Sequence, residues 1–210
     1  SYPHRLRQVL GDRAPMVLYC AGNRSLLSSP CVSLVGSRKL REPGRVFSRT
    51  LGAEAARQHL TYVSGGAAGA DTEGYLSAAD AGGDAVLFLP ESLRARMEQM
   101  SDRLRTGRLL LAAEGVDEPF SVANAYARNR LIHAMGQKVF VAQSDYGTGG
   151  TWQGVMENLK NGWSPVFMNH AEPEDPGTRG LIERGCSPVS AEDLTDLSAL
   201  EPIQTNLFEK

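Results

Sequence analysis

The sequence predicts an α/β fold, a doubly wound and mostly parallel sheet with helices on both faces. Three observations carry it. Short aliphatic or β-branched runs alternate with longer segments of helical periodicity, the pattern of repeated βα units. Glycine-rich turns follow several of the runs, and no internal repeat or low-complexity tract interrupts them.

The runs place strands at 32–35, 60–64, 85–89, 109–112, 138–142 and 164–168. Between the first two, "EPGRVFSRTLGAEAARQHL" starts a helix at Pro43 and repeats Val46, Phe47, Leu51, Ala55 and Leu60 at helical spacing. "LTYVS" then leads through "GGAAGA" to a helix that Asp71 is expected to cap and Gly82-Gly83 to end. After "AVLFL" comes one charged helix, "ESLRARMEQMSDRLR", then "LLLAAE" and the helix "ANAYARNRLIHAMG". "KVFVAQ", "SDYGTGG", "TWQGVMENLKNG" and "SPVFM" repeat the strand, loop, helix, strand order. A short helix capped by Ser190 is expected in "AEDLTDLSAL". Residues 1–30 read as a lead-in segment, 31–190 as the core, and 191–210 as a short helix and tail.

Composition limits the function. The 210 residues are 41% hydrophobic and 22% charged, with no apolar run near the roughly 20 residues that cross a bilayer. No membrane partner and a cytoplasmic location are expected. Three cysteines without CxxC spacing suggest neither a disulfide framework nor a zinc site. A net charge of −2 excludes indiscriminate polyanion binding, so contact with nucleic acid requires a local patch.

In open parallel sheets ligands bind beyond the carboxyl ends of the strands. Three loops leave such ends: Gly36, Ser37, Arg38 and Lys39; then "SGGAAGAD" with Gly65, Gly66 and Gly69; then "SDYGTGGT" with Gly147, Thr148, Gly149, Gly150 and Thr151. Glycines admit close approach of backbone N–H groups to an anion, and a following helix N-terminus adds partial positive charge. None of the loops has the spacing of a dinucleotide or P-loop motif. Cations gather at Arg38, Lys39, Arg41 and Arg45, and Arg128 and Arg130 flank Asn129; arginine's planar fork suits phosphate. No nucleophile, base and orienting group come together in the sequence, so neither catalysis nor a cofactor is expected.

Taken in order, "YPHRLRQVLGDRAPMVLYCAGN", "VSLVGSR", "YVSGGAAGAD" and "ARNRLI" resemble the DNA-processing protein A family, also called DprA or Smf, whose core is Rossmann-like. The resemblance spans nearly the whole chain. It implies a single-stranded DNA-binding recombination mediator that protects incoming strands in natural transformation, hands them to the recombinase RecA and acts as a homodimer. It marks Gly36, Ser37, Arg38, Arg128 and Arg130 as DNA contacts, with Gly65, Gly69 and Asp71 shaping the second loop. Ala68 stands where the family usually carries arginine, and Ala125-Tyr126 stands in place of Phe-Pro, leaving Tyr126 as a base-stacking candidate. "YGTGGTWQG" replaces the family's late segment, so a nucleotide-type small ligand held by residues 147–151 is the alternative.

Overall fold

A computed structural model describes residues 2–203. Its centre is an eight-stranded sheet: β1 (Tyr19–Gly22), β2 (Cys31–Val35), β3 (Thr61–Ser64), β4 (Ala85–Leu89), β5 (Leu109–Ala113), β6 (Lys138–Val141), β7 (Val166–Asn169) and β8 (Ser187–Val189). The spatial order is β1-β5-β4-β3-β2-β6-β7-β8, parallel throughout except for β1, which runs antiparallel to β5. From β2 the chain winds outward through β3 to β5, then crosses back to β6 and winds the other way. That reversal opens a crevice between β2 and β6.

The helices are α1 (His4–Leu10), α2 (Glu42–Arg57), α3 (Ala70–Asp80), α4 (Leu93–Gln99), α5 (Ser101–Arg105), α6 (Val122–Met135), α7 (Gly149–Asn161) and α8 (Pro176–Ile182). They form two layers because side chains alternate across each strand. Val32 and Leu34 of β2 join the core beneath α2 and α3, whereas Cys31 and Val35 join the core shared with α1, α6 and α7. On the α2 side Phe47, Phe140 and Phe167 pack in series, the last two stacked at 5.3 Å. Each fully buried ring of this kind contributes about 1.5–3 kcal/mol by burial. Phe140→Ala would add the cavity term to that loss.

Several boundaries differ from the sequence reading. Val46, placed on the helix's apolar repeat, is 47% exposed, because α2 buries the narrower stripe of Phe47, Leu51 and Ala55. The charged helix is two, α4 and α5, since Met100 leaves helical geometry (φ −113°, ψ 19°) and packs into the core. Asp71 is not the cap of α3. Gly69 holds that position, and Asp71 lies in the first turn with its carboxylate turned back to the loop. Near the C-terminus the helix is a 3₁₀ turn, Glu192–Asp196, and Ser190 donates to the Asp193 carboxylate, the reverse of the expected cap.

Residues of the lead-in segment belong to the same core: Leu6 and Leu10 of α1 are buried against the α6 layer, and β1 closes one sheet edge. Arg5 ties α1 to the end of α6 through the carbonyls of Met135 (3.0 Å) and Gly136 (2.9 Å). The expected tail falls largely on residues 204–210, outside the described residues.

Candidate nucleic-acid interface

At the carboxyl ends of β2 and β6, where the strand order reverses, lies a cavity of about 580 Å³. Its walls are the Gly36–Lys39 turn, Ala67 and Asp71 of the second loop, the first half of α6, and the Asp145–Thr151 loop entering α7. A buried glutamine two residues beyond β6, Gln143, builds the mouth. The Gln143 carbonyl accepts from Ser37 N (3.0 Å), its side-chain oxygen from Arg41 N (2.8 Å), and its amide nitrogen donates to Lys39 O (3.3 Å). With the backbone of the turn held from below, Arg38 and Lys39 are left exposed above it.

Their charges are available. Arg38 lies over the Phe120 ring, 5.6 Å from guanidinium carbon to centroid, and neither Arg38 nor Lys39 has a carboxylate partner among the described residues. Phe120 is 49% exposed, and Val122, Ala125 and Tyr126 continue an apolar wall from it. The arrangement offers cations for phosphate and flat apolar surface for bases. Asp145 is the acidic residue at the exposed rim.

Arg128 forms the floor. It is 6% exposed, and its Nη1 donates to Gly65 O (2.7 Å) and to Phe88 O, so one guanidinium joins the ends of β3 and β4. Its Nε has no hydrogen-bond partner among the described residues. Asp71 completes the loop by accepting from Gly65 N (3.0 Å) and Ala67 N (3.2 Å) on a single carboxylate oxygen. Burial lowers the Arg128 pKa and raises that of Asp71, and in each case the opposite charge of the other partly counters it. A side chain at Gly65 would place its Cβ 2.4 Å from the Arg128 guanidinium. Gly69 has φ +83°, and a Cβ there would lie 2.3 Å from Ser37 O, so the second loop can rest against the first turn only as glycine.

The predicted residues do not all converge. Gly36, Ser37, Arg38, Lys39, Tyr126, Arg128, Asn129, Thr148, Gly149, Gly150 and Thr151 line the cleft. Gly65 and Gly69 shape it from behind, Gly66 lies on the far side of the loop, and Gly147 precedes the lining segment. Arg130, two residues from Arg128, points elsewhere: its Nη2 contacts both Glu114 oxygens at 2.9 Å and its Nε donates to Arg13 O at 3.2 Å. Positions i and i+2 on a helix lie about 200° apart, which separates these neighbours.

Thr148 caps α7 without a side-chain hydrogen bond, leaving the first amides of the helix beside the cavity; Asn129 steadies that end by donating to Gly150 O (3.2 Å). Phe120, Val122, Gln143 and Asp145 were not singled out from the sequence. Phe120 and Val122 carried a usable signal, two apolar residues in a polar loop flanking the Ser121 cap. Gln143 carried none, because its bonds span about a hundred residues of chain.

Residues 1–198 match the family model described as DNA recombination-mediator protein A. The chain belongs to that family. Within the family, DNA processing protein DprA of Streptococcus pneumoniae is 29% identical over 196 residues, covering 90% of this chain and 68% of that protein. Protein Smf of Synechocystis is 26% identical, with 95% of this chain spanning 52% of the relative. The solved S. pneumoniae DprA structure superposes with a TM-score of 0.76 at 27% identity, covering 95% of this chain and 71% of that one. A DNA processing protein A from Helicobacter pylori, solved to describe its single-stranded DNA binding mode, superposes at 0.78 with 25% identity, covering 93% and 91%. This DNA recombination-mediator chain has, among its described residues, no helix long and apolar enough to cross a membrane.

Proposed function

We propose that this protein binds single-stranded DNA in the cleft between β2 and β6 and acts as a recombination mediator without chemistry of its own. The observation that carries the reading is the pair Arg38 and Lys39, held at the mouth without counterions and facing an apolar, aromatic wall. Phosphates would lie on these cations and on the α7 amides, with bases against Phe120 and Tyr126. Of the predicted DNA contacts, Arg128 supports the floor from a buried position, while Arg130 serves the outer face through Glu114.

The mediator role entails release of the bound strand to RecA, and action as a homodimer gives two clefts for one strand. A cytoplasmic location accords with three free cysteines, of which Cys31 and Cys186 are buried.

Fluorescence anisotropy with oligo-dT tests the reading. Affinity is expected to rise with strand length and to fall with salt at a slope of about −0.7 per neutralised phosphate. Stabilisation against heat by mononucleotides, with no response to oligonucleotides of any length, would replace it with a small-nucleotide site at Thr148–Thr151. Light scattering tests the dimer, and RecA assembly on protein-bound oligo-dT tests the hand-over.

A further inference from the structure

A second cavity, of about 450 Å³, lies on the other side of the glycine loop. Gly66, Tyr75 and Leu76 form one wall, and Arg96, Met100 and Arg103 form the other. The two cavities share the loop as a low divide: Ala67 lines the first and Gly66 the second. Residues 65–69 are all glycine or alanine, so no large side chain stands between them.

The chemistry of the second cavity repeats that of the first. Leu76 is 39% exposed and Met100 is half-buried, giving an apolar surface. The Arg103 guanidinium lies 5.4 Å from the centre of the Tyr75 ring and has no carboxylate partner among the described residues, as Arg38 does over Phe120. Arg96 adds a cation already paired with Glu91, and the lining carboxylate, Asp102, is engaged by Arg105. Buried Arg128 lies between the two cavities, acted on first by Asp71 and Glu91 and more weakly by Arg38 from one side and Arg96 from the other.

We propose that the second cavity is an extension of the DNA site: a strand leaving the β2/β6 cleft crosses the bare glycine loop and places a further nucleotide there, its base on Leu76 and Met100 and its phosphate on Arg103. The proposal rests on the single-stranded DNA reading of the first cleft. Backbone-tracking sites of this kind alternate cations with surfaces that accept any base, and length dependence follows from the number of subsites filled. The small residues of the loop matter because a strand must pass over it at close range.

The test is anisotropy with oligo-dT from a dinucleotide to a strand of about twenty nucleotides, on wild type, Arg103→Ala, Gln99→Glu and Arg38→Ala. Gln99 is an exposed side chain lining the second cavity, so its charged variant keeps the test open should Arg103→Ala perturb folding, which thermal melting would report. Arg103→Ala and Gln99→Glu are expected to weaken the long strand about five- to tenfold, the scale of one lost base or phosphate contact. Arg103→Ala should also reduce the magnitude of the salt slope by about 0.7, with less than about a twofold change for the dinucleotide. Arg38→Ala should weaken every length. Equal losses at all lengths in the two cavity variants, or none at any length, overturn the extension while an effect of Arg38→Ala preserves the first cleft. Binding that ignores Arg38→Ala as well overturns both.

Discussion

Within "GSRKLREPGRVFSRT" two kinds of cation follow one another, and the contrast between them is what the proposed site rests on. Arg38 and Lys39 stand over the cleft and form no ion pair among the described residues, although Asp71 and Asp145 line the same cavity. Arg41, by contrast, is bound to Glu172 (2.8 Å) and Asp175 (2.7 Å), Arg45 reaches Glu42 and Glu73, and Arg49 meets Glu73 at 2.7 Å. In sequence these five are one basic run. In the fold only the first two can take a phosphate without first breaking an ion pair. On α6 neither arginine is free: Arg128 is buried beneath the glycine loop in the field of Asp71, and Arg130 is paired with Glu114. A protein of net charge −2 can hold an anion site because its carboxylates are spent on the other arginines.

The strongest way to break the contrast is Arg128→Ala. It leaves the carbonyls of Gly65 and Phe88 without their donor and Asp71 without its countercharge, all in buried surroundings. A loss of about 3–5 kcal/mol in urea unfolding is expected, against about 1–2 kcal/mol for Arg130→Ala, whose half-buried side chain pairs with Glu114. Comparable losses would show that Arg128 is not the keystone of the loop.

His133 extends the comparison one turn along α6. It is fully buried with only Asn158 at its Nδ1 (3.1 Å), and burial holds its pKa down at about 4. Because the unfolded chain takes up that proton first, stability is complete above about pH 6.5 and is lost as pH falls toward 4. Between pH 7 and pH 5 about 2 kcal/mol should disappear from the unfolding free energy, and His133→Gln should remove most of that slope. A pH dependence unchanged in the variant would assign it to other groups.

Arg38→Ala comes next, with oligo-dT affinity expected to fall at least about tenfold and the salt slope to flatten by about 0.7. The smallest effect sharpens the argument. Glu73→Gln releases Arg49, leaves Arg45 with Glu42 alone and removes one negative charge, yet oligo-dT affinity should stay within about twofold, since both arginines lie outside the cleft. A large gain would mean that net charge rather than placement governs binding.

Much of the fold was legible because its signals are local. Aliphatic runs, glycine stops and helical spacing located β2 through β7 to within a few residues. β1 and β8 escaped because a four-residue edge strand in "YCAG" and a three-residue one in "SPV" have no period long enough to read. The site was partly legible for a similar reason: the three glycine loops follow strands, and parallel order brings the ends of those strands to one edge. Phe120 was missed because it lies outside any regular element.

The sequence by itself determined that the chain alternates strand and helix, that glycine loops leave the strand ends, and which family's motifs it carries. Those properties reside in neighbouring residues and survive reading one stretch at a time. Only the tertiary structure decided which arginines are free. Gln143 holds the Gly36–Lys39 turn from across the sheet, Glu172 and Asp175 neutralise Arg41 from more than a hundred residues away, and Arg128 turns inward where Arg130 turns out. An ion pair is a fact about distance in space, and among the described residues Arg38 and Lys39 of "VSLVGSRK" form none, which is what makes them the candidates for an anion.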